Sequence, residues 1–150
     1  MTETPKHSQE EIRDMVINFL DNQRKAVFST LDEDGLPTTA MMLFAVGDDL
    51  AIYFGTRSSS AKYANIQKNP IIALSVIEGA SDPLKVVDIR GDASEVPAEE
   101  LSDTLAFFKS KNPAKLFVEG ADDFTMIKIT PHFMRYLDAT SGEGPQAIEF

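Results

Sequence analysis

The sequence predicts a small antiparallel β-barrel with flanking helices. Its 150 residues contain six or seven short β-branched or aromatic segments, most of them joined by tight turns. Helical patterns are few and do not alternate with these strands, which argues against a parallel α/β sheet. The length fits one domain, expected over residues 1–150, with a helical segment over 1–23 and a tail over 139–150.

Composition and charge limit the possible functions. The chain has 14 Lys and Arg against 24 Asp and Glu, a formal net charge of −10 at pH 7. This charge disfavours nucleic acids and anionic membranes as partners, because both favour basic surfaces. Neither a membrane-spanning apolar run nor a secretory signal is apparent, so a cytoplasmic protein is expected. Cysteine is absent, which excludes disulfides and thiolate metal sites.

The first third of the chain predicts one helix and three strands. Ser8 and Glu11 have the spacing of a capping box, and apolar residues recur at helical spacing from Ile12 to Leu20. Short turns at DEDG and GDD then separate three segments, which are predicted to pair as an antiparallel meander. The three strands are expected at Lys25–Leu31, Thr38–Val46 and Leu50–Phe54.

The rest of the chain predicts further strands and two helices. The expected elements are a helix over 61–69, strands over 71–77 and 85–96, a loop over 78–83, a helix over 97–111, and strands over 124–129 and 132–137. The apolar run IIALSVI predicts a strand buried on both faces. Gly91 suits a bulge or bend, and Thr130-Pro131 is expected to separate the last two strands. In the tail, Ile148 and Phe150 are candidates for docking on a partner.

Most chemical motifs are missing. The two histidines, His7 and His132, do not have the spacing of a metal site, so none is predicted. The acidic pairs at 48–49 and 122–123 lie in turn signals, where Asp is favoured for local backbone hydrogen bonds. No Gly-x-Ser-x-Gly elbow or Walker-type loop occurs. A redox cofactor that brings its own chemistry is therefore the economical prediction, and no catalytic residue is assigned.

The segment Phe54–Lys62 (FGTRSSSAK) joins a predicted strand to a predicted helix and is rich in hydroxyl and basic side chains. The first turn of a helix has unpaired N–H groups and a positive dipole end, which suits a phosphate. Thr56 and Ser60 would add hydroxyl donors, and Arg57 would add charge-assisted bonds together with Lys62. Serine-rich caps are also common without a ligand, so a plain polar cap is the alternative interpretation.

Three segments in order carry a family resemblance: AVFSTLDEDGLPTTAMMLF, LAIYFGTRSSSAKYANIQKNPIIALSV and VVDIRGDASEV, before a closing MIKITPHFMRYLD. Over roughly Lys25–Asp138 the chain resembles the pyridoxamine 5′-phosphate oxidase-like family of FMN-binding split barrels. Its most specific part is the T-x-x-x-S-x-K turn, followed by a short helix and Asn-Pro. The resemblance implies a split β-barrel of six to seven antiparallel strands that forms a homodimer and binds FMN at the subunit interface. A deazaflavin is the alternative cofactor.

The resemblance also implies the cofactor-binding residues, which lie on one strand and on the turn that follows the next strand. On the strand beside the flavin ring and ribityl chain they are Thr39, Ala40, Met41 and Met42. At the end of the next strand and in the phosphate-binding turn they are Gly55, Thr56, Arg57, Ser60, Ala61 and Lys62. Because neighbouring strand residues face opposite ways, at least one of the two methionines is expected to fill the core instead.

The chain departs from true pyridoxamine phosphate oxidases at several positions. Those enzymes have arginines where Ala40 and Ala61 stand, a glutamine at Val86, and a Tyr…Arg…Ser substrate set in the helix matching Pro97–Lys111. Arg57 is expected to compensate for the missing phosphate arginines. The expected function is a flavin-dependent oxidoreductase that passes hydride or electrons through FMN N5 to an unidentified small substrate. The alternatives are a non-catalytic, dimeric flavin- or nucleotide-binding stress or regulatory protein, and a deazaflavin-dependent reductase.

Overall fold

The computed structural model describes residues 6–78, 84–113 and 118–150. Within them the chain forms α1 (Gln9–Asp21), α2 (Ala61–Lys68) and α3 (Leu101–Lys111), the last preceded by a 3₁₀ turn at Ala98–Glu100. The strands are β1 (Lys25–Leu31), β2 (Pro37–Leu43), β3 (Ala45–Val46), β4 (Ile52–Arg57), β5 (Ile71–Glu78), β6 (Lys85–Glu95), β7 (Phe124–Asp138) and β8 (Gln146–Ile148). Most of the loop expected over 78–83 lies outside the described residues.

The eight strands form one antiparallel sheet in the order β2-β1-β5-β6-β7-β4-β3, with β8 paired to β7. The predicted mainly antiparallel sheet with flanking helices is therefore confirmed. β1 and β2 pair in register from Lys25↔Leu43 to Leu31↔Pro37, and β4 pairs with β7 from Ile52↔Ile129 to Arg57↔Phe124. No helix among the described residues has the length and apolar character needed to cross a membrane.

Both hairpins of the predicted meander are present, β1–β2 and β3–β4, but they do not form one continuous meander because the middle strand is divided. The segment expected as one strand is interrupted at Phe44, whose N–H donates to the carbonyl of Arg24 at 3.1 Å. Phe44, Ala45 and Val46 are all buried, and three consecutive buried residues do not fit a strand with one solvent-facing side. β2 and β3 consequently lie at opposite ends of the strand order. In the described sheet β2 and β4 are therefore not paired with each other.

Two other strands differ from expectation. β5 is buried on one face only: Ile72 and Leu74 are buried, whereas Ile71 and Ile77 are 54% and 51% exposed. An antiparallel sheet can leave one face uncovered, so the apolar run does not require burial on both sides. The last two predicted strands are in fact the single strand β7, which passes Pro131 without ending.

The predicted bulge at Gly91 is confirmed and explains how β7 accommodates its proline. The register between β6 and β7 shifts between Arg90 and Gly91, and Gly91 lies opposite Pro131. A Cβ atom on Gly91 would lie 2.5 Å from the carbonyl oxygen of Thr130 and 3.0 Å from Cα of Pro131. Only glycine allows the two strands to approach this closely.

The first and last described elements, α1 and β8, are held by local and long-range contacts. The predicted capping box is present: Glu11 N–H donates to Ser8 Oγ at 3.1 Å, and Ser8 N–H donates to Glu11 Oε1 at 3.2 Å. Ile148 is buried within its own chain, where β8 adds to β7, so its expected docking on a partner is wrong. Phe150 is exposed, with the Arg13 guanidinium 5.3 Å from its ring centroid.

Candidate functional site

A cleft of about 430 Å³ opens where β2 and β4 separate. Its size falls within the range of about 300–1,000 Å³ that is usual for small-molecule sites. The residues that line it come from β2, β4, the start of α2, α3 and the segment before β7. They are Met41, Met42, Leu43, Gly55, Thr56, Arg57, Ser59, Ser60, Lys62, Phe108 and Val118. Polar groups are concentrated near α2, and apolar side chains form much of the remaining wall.

Most of the residues implied by the family resemblance line this cleft. Those that do are Met41, Met42, Gly55, Thr56, Arg57, Ser60 and Lys62. Thr39 and Ala40 instead line a much smaller cavity of about 20 Å³, which shares Lys62 with the cleft. Ala61 lines neither cavity and is the exposed first residue of α2. Met42 also packs against the core, whereas Met41 is 61% exposed.

Hydroxyl groups and amides converge at the polar end of the cleft. The Oγ1 atom of the buried Thr56 lies 3.0 Å from Ser60 Oγ. Ser60 is the N-cap of α2, and its Oγ accepts from the N–H of Tyr63 at 3.2 Å. The amides of Ala61 and Lys62 belong to the first helical turn, where N–H groups have no intrahelical acceptor. The serine cap is therefore present, and the first-turn amides of Ala61 and Lys62 lie beside it.

Helix α2 is fixed onto the β1–β2 hairpin by a small polar network. Asn65 Nδ2 donates to Thr30 Oγ1 at 3.1 Å, and the hydroxyl groups of Thr30 and Thr38 lie 3.0 Å apart. Ile66, one residue further along the helix, is buried in the core. These contacts hold Lys62 at the end of the cleft that α2 lines.

Lys62 is the basic residue at this end of the cleft whose charge is not compensated by any described residue. It is half-buried and forms no ion pair with any described residue. Lys68, two turns further along α2, is exposed and lies 3.5 Å from a carboxylate oxygen of Glu33. A half-buried ammonium without a counter-ion favours an anion in the adjoining space.

Arg57 is paired, by contrast. Its Nε donates to Asp123 Oδ1 at 2.7 Å, and the N–H of Ser59 donates to Asp123 Oδ2 at 3.0 Å. The N–H of Ser58 donates to the backbone carbonyl of Asp123 at 2.9 Å. Hydrogen bonds from Ser59 and then from Arg57 lower the pKa of Asp123 to about 2. The sequence interpretation of Asp123 as a purely local turn residue is wrong, because its partners lie more than 60 residues away.

The apolar wall depends on α3. Phe108 is fully buried and packs with Ala45 and Met126 in a second core cluster, apart from the main core. Asn112, the C-cap of α3, is also buried, and its Nδ2 donates to the carbonyl of Phe44 at 3.0 Å. α3 is thereby fixed to the point where β2 ends and β3 begins.

Sequence reasoning missed four lining residues: Leu43, Ser59, Phe108 and Val118. Phe108 falls within the helix expected over 97–111, but a helical pattern indicates a packed helix face and does not indicate a cleft. Val118 had no signal in the sequence.

The described residues do not form a metal site: no group of three or more His, Asp or Glu side chains is placed to bind an ion. His7 lies 2.8 Å from Glu143, and this hydrogen bond raises the pKa of His7. The cleft chemistry accordingly depends on a cation, hydroxyl groups, amides and apolar surface.

Comparison with known proteins gives a consistent family match. A family model for pyridoxamine 5′-phosphate oxidase matches residues 10–138. The pyridoxine/pyridoxamine 5′-phosphate oxidase of Legionella pneumophila (strain Lens) is 31% identical over 130 residues, which is 87% of this chain. The match covers 54% of that protein, so the chain spans about half the length of the curated relatives it matches.

Solved structures share the fold. An F420 reductase has a TM-score of 0.65 and 25% sequence identity, over 78% of this chain and 93% of that chain. A heme binding protein from Mycobacterium smegmatis has a TM-score of 0.76 and 16% identity, over 96% of this chain and 59% of that chain. The predicted split β-barrel with flanking helices is confirmed. The described residues contain eight strands instead of six or seven, because the second predicted strand divides and the tail adds β8, while the last two predicted strands join into β7.

Proposed function

This chain belongs to the pyridoxamine 5′-phosphate oxidase family, and we propose that its cleft binds FMN and that the protein is a flavin-dependent oxidoreductase. One observation carries the proposal. The half-buried Lys62, which has no ion-pair partner among the described residues, lies beside the hydroxyl-rich start of α2, at one end of an otherwise largely apolar cleft. A site for FMN needs groups that bind phosphate at one end and apolar walls that pack against the planar ring.

The donor set at the polar end suits a phosphate. Lys62 would supply a charge-assisted bond, and the hydroxyl groups of Thr56 and Ser60 would supply neutral ones. The first-turn amides of α2, including that of Ala61, would add backbone donors at the positive end of the helix dipole. Arg57 lines the same end, with its Nε engaged by Asp123.

The rest of the cleft suits a flavin ring. Met41, Met42 and Leu43 of β2 face the same space as Phe108 of α3. Gly55 of β4 has no side chain, so a planar ring can approach the strand closely. Thr39 and Ala40 remain proposed contacts of the ribityl chain, next to the small cavity that shares Lys62.

FMN, when bound, supplies hydride or electron transfer through N5. The chain would bind the phosphate, orient the ring between β2 and β4, and exclude water with the apolar wall. The titratable residues among the described cleft lining are Arg57 and Lys62, both near the phosphate end. For this reason we assign no general acid or base.

Two other cofactors occur among proteins of this fold. A deazaflavin remains the alternative, since the similar F420 reductase is 25% identical to this chain. Heme is less well matched: the heme binding protein is 16% identical, and the described residues that line the cleft include no histidine. The lysine, hydroxyl groups and helix amides at one end of the cleft favour a flavin that carries a phosphate over heme.

Turnover separates an oxidoreductase from a non-catalytic stress or regulatory binder. We expect the FMN-loaded protein to oxidise NADH in the presence of an artificial two-electron acceptor, faster than the same concentration of free FMN. Absorbance of NADH measures the rate. FMN that is bound without any rate above the free-FMN control would support the non-catalytic alternative.

We further propose a homodimer with the cleft at its interface. Several apolar side chains are exposed on the sheet, among them Val27 at 46% and Met41 at the mouth of the cleft. Obligate dimers commonly bury more than ~2,000 Å², much of it apolar. Sedimentation at micromolar concentration should show about twice the chain mass of 16.5 kDa. A single species at the chain mass would contradict the dimer.

A further inference from the structure

The phosphate end of the cleft contains its own anion. Asp123 bonds the Arg57 guanidinium through one carboxylate oxygen and the amide of Ser59 through the other, at 2.7 Å and 3.0 Å. We propose that Asp123 sets the strength of phosphate binding by holding Arg57 as an internal ion pair, so that Lys62 is the cation left for the ligand. This inference rests on the proposed function.

The geometry suits a carboxylate at this position. Both side-chain partners of Asp123, the Nε–H of Arg57 and the backbone N–H of Ser59, are donors. A carboxylate accepts on both oxygens, whereas an amide side chain would present a donor to one of these donors. A third bond, from the N–H of Ser58 to the carbonyl of Asp123, fixes the backbone of the same residue.

The charge of Asp123 is permanent at physiological pH, because its pKa lies at about 2. Its side chain is 25% exposed and that of Arg57 is 49% exposed, so the pair is partly screened by water. A phosphate that approached Arg57 would meet the carboxylate of Asp123. It would have to share the guanidinium with this carboxylate or displace it. Lys62 has no such competitor among the described residues.

Asp123 also connects the turn to the opposite wall. It follows the segment that contains Val118, where the N–H of Ala121 donates to the carbonyl of Val118 at 3.1 Å. Val118 lines the cleft. If Asp123 had a purely structural role, its replacement would therefore disturb the whole cleft. Riboflavin binding would then be weakened as much as FMN binding.

The test compares FMN with riboflavin, which lacks the phosphate, by flavin fluorescence titration. The proteins are the native chain, Asp123→Asn, Arg57→Ala, the double variant of these two, and Lys62→Ala. We expect Asp123→Asn to bind FMN about three- to tenfold more tightly, with riboflavin unchanged, because Arg57 becomes available to the phosphate. Arg57→Ala alone should change FMN affinity by less than about threefold, and it should cancel the gain in the double variant.

Several results would overturn the inference. If Arg57→Ala weakened FMN binding as much as Lys62→Ala does, Arg57 would already hold the phosphate in the native protein. This comparison does not depend on the folding of Asp123→Asn. An Asp123→Asn protein that binds FMN no more tightly than the native protein would also overturn it. A native protein that binds no FMN would overturn the proposed function, whereas normal FMN binding without the expected responses overturns this inference alone.

Discussion

Lys62→Ala should weaken FMN binding by roughly one to two orders of magnitude, because it removes a charge-assisted bond of about 1.5–3 kcal/mol. Lys62 is the half-buried cation at the phosphate end of the cleft that has no ion-pair partner among the described residues. Riboflavin lacks the phosphate, so its affinity should be lower than that of FMN and nearly the same for the native protein and the variant. Fluorescence titration of both flavins measures the difference.

Lys68→Ala is the matched control on the same helix. Lys68 is exposed, pairs with Glu33 at 3.5 Å and does not line the cleft. Its removal changes the net charge of the protein by the same amount as Lys62→Ala, so a general electrostatic effect would appear in both variants. Equal FMN affinity of the two variants would mean that the serine-rich turn is only a helix cap.

Gly91→Ala should lower the free energy of unfolding by about 3 kcal/mol. The added Cβ would meet backbone atoms of β7, the nearest at 2.5 Å, and backbone cannot move aside as a flexible side chain can. The β6–β7 pairing that would have to separate is the longest in the sheet. Urea denaturation monitored by circular dichroism measures the loss.

Gly120→Ala is the control for Gly91→Ala. A Cβ at Gly120 would meet nothing within 4 Å, so its stability should stay within about 0.5 kcal/mol of the native protein. If Gly91→Ala unfolded at the same urea concentration as Gly120→Ala, the close approach of β6 and β7 at the bulge would be refuted.

Local signals in the sequence predicted local structure well. The spacing of Ser8 and Glu11 located the start of α1, and Gly91 located the bulge, because both effects depend on residues near in sequence. The division of β2 from β3 was missed, since it depends on burial of Phe44 and on a bond from Asn112, 68 residues away. The exposed face of β5, with Ile71, depends likewise on what the folded sheet leaves uncovered.

The candidate site was predictable in part for the same reason. The family resemblance covered the turn with Arg57 and Lys62, which are close in sequence to one another. The pairing of Arg57 with Asp123 joins positions 66 residues apart, and the residue types alone did not indicate it. Val118 reaches the cleft only through the fold, so the far wall had no counterpart in the sequence pattern.

The central claim is that this cleft holds FMN, and mass spectrometry of the small molecule released from the purified, denatured protein tests it most directly. The predicted result is FMN in a molar amount close to that of the chain. If FMN is lost during purification, the protein should take it up again on incubation with FMN. A protein that releases heme or a deazaflavin, or that retains no flavin after incubation with FMN, would contradict the claim.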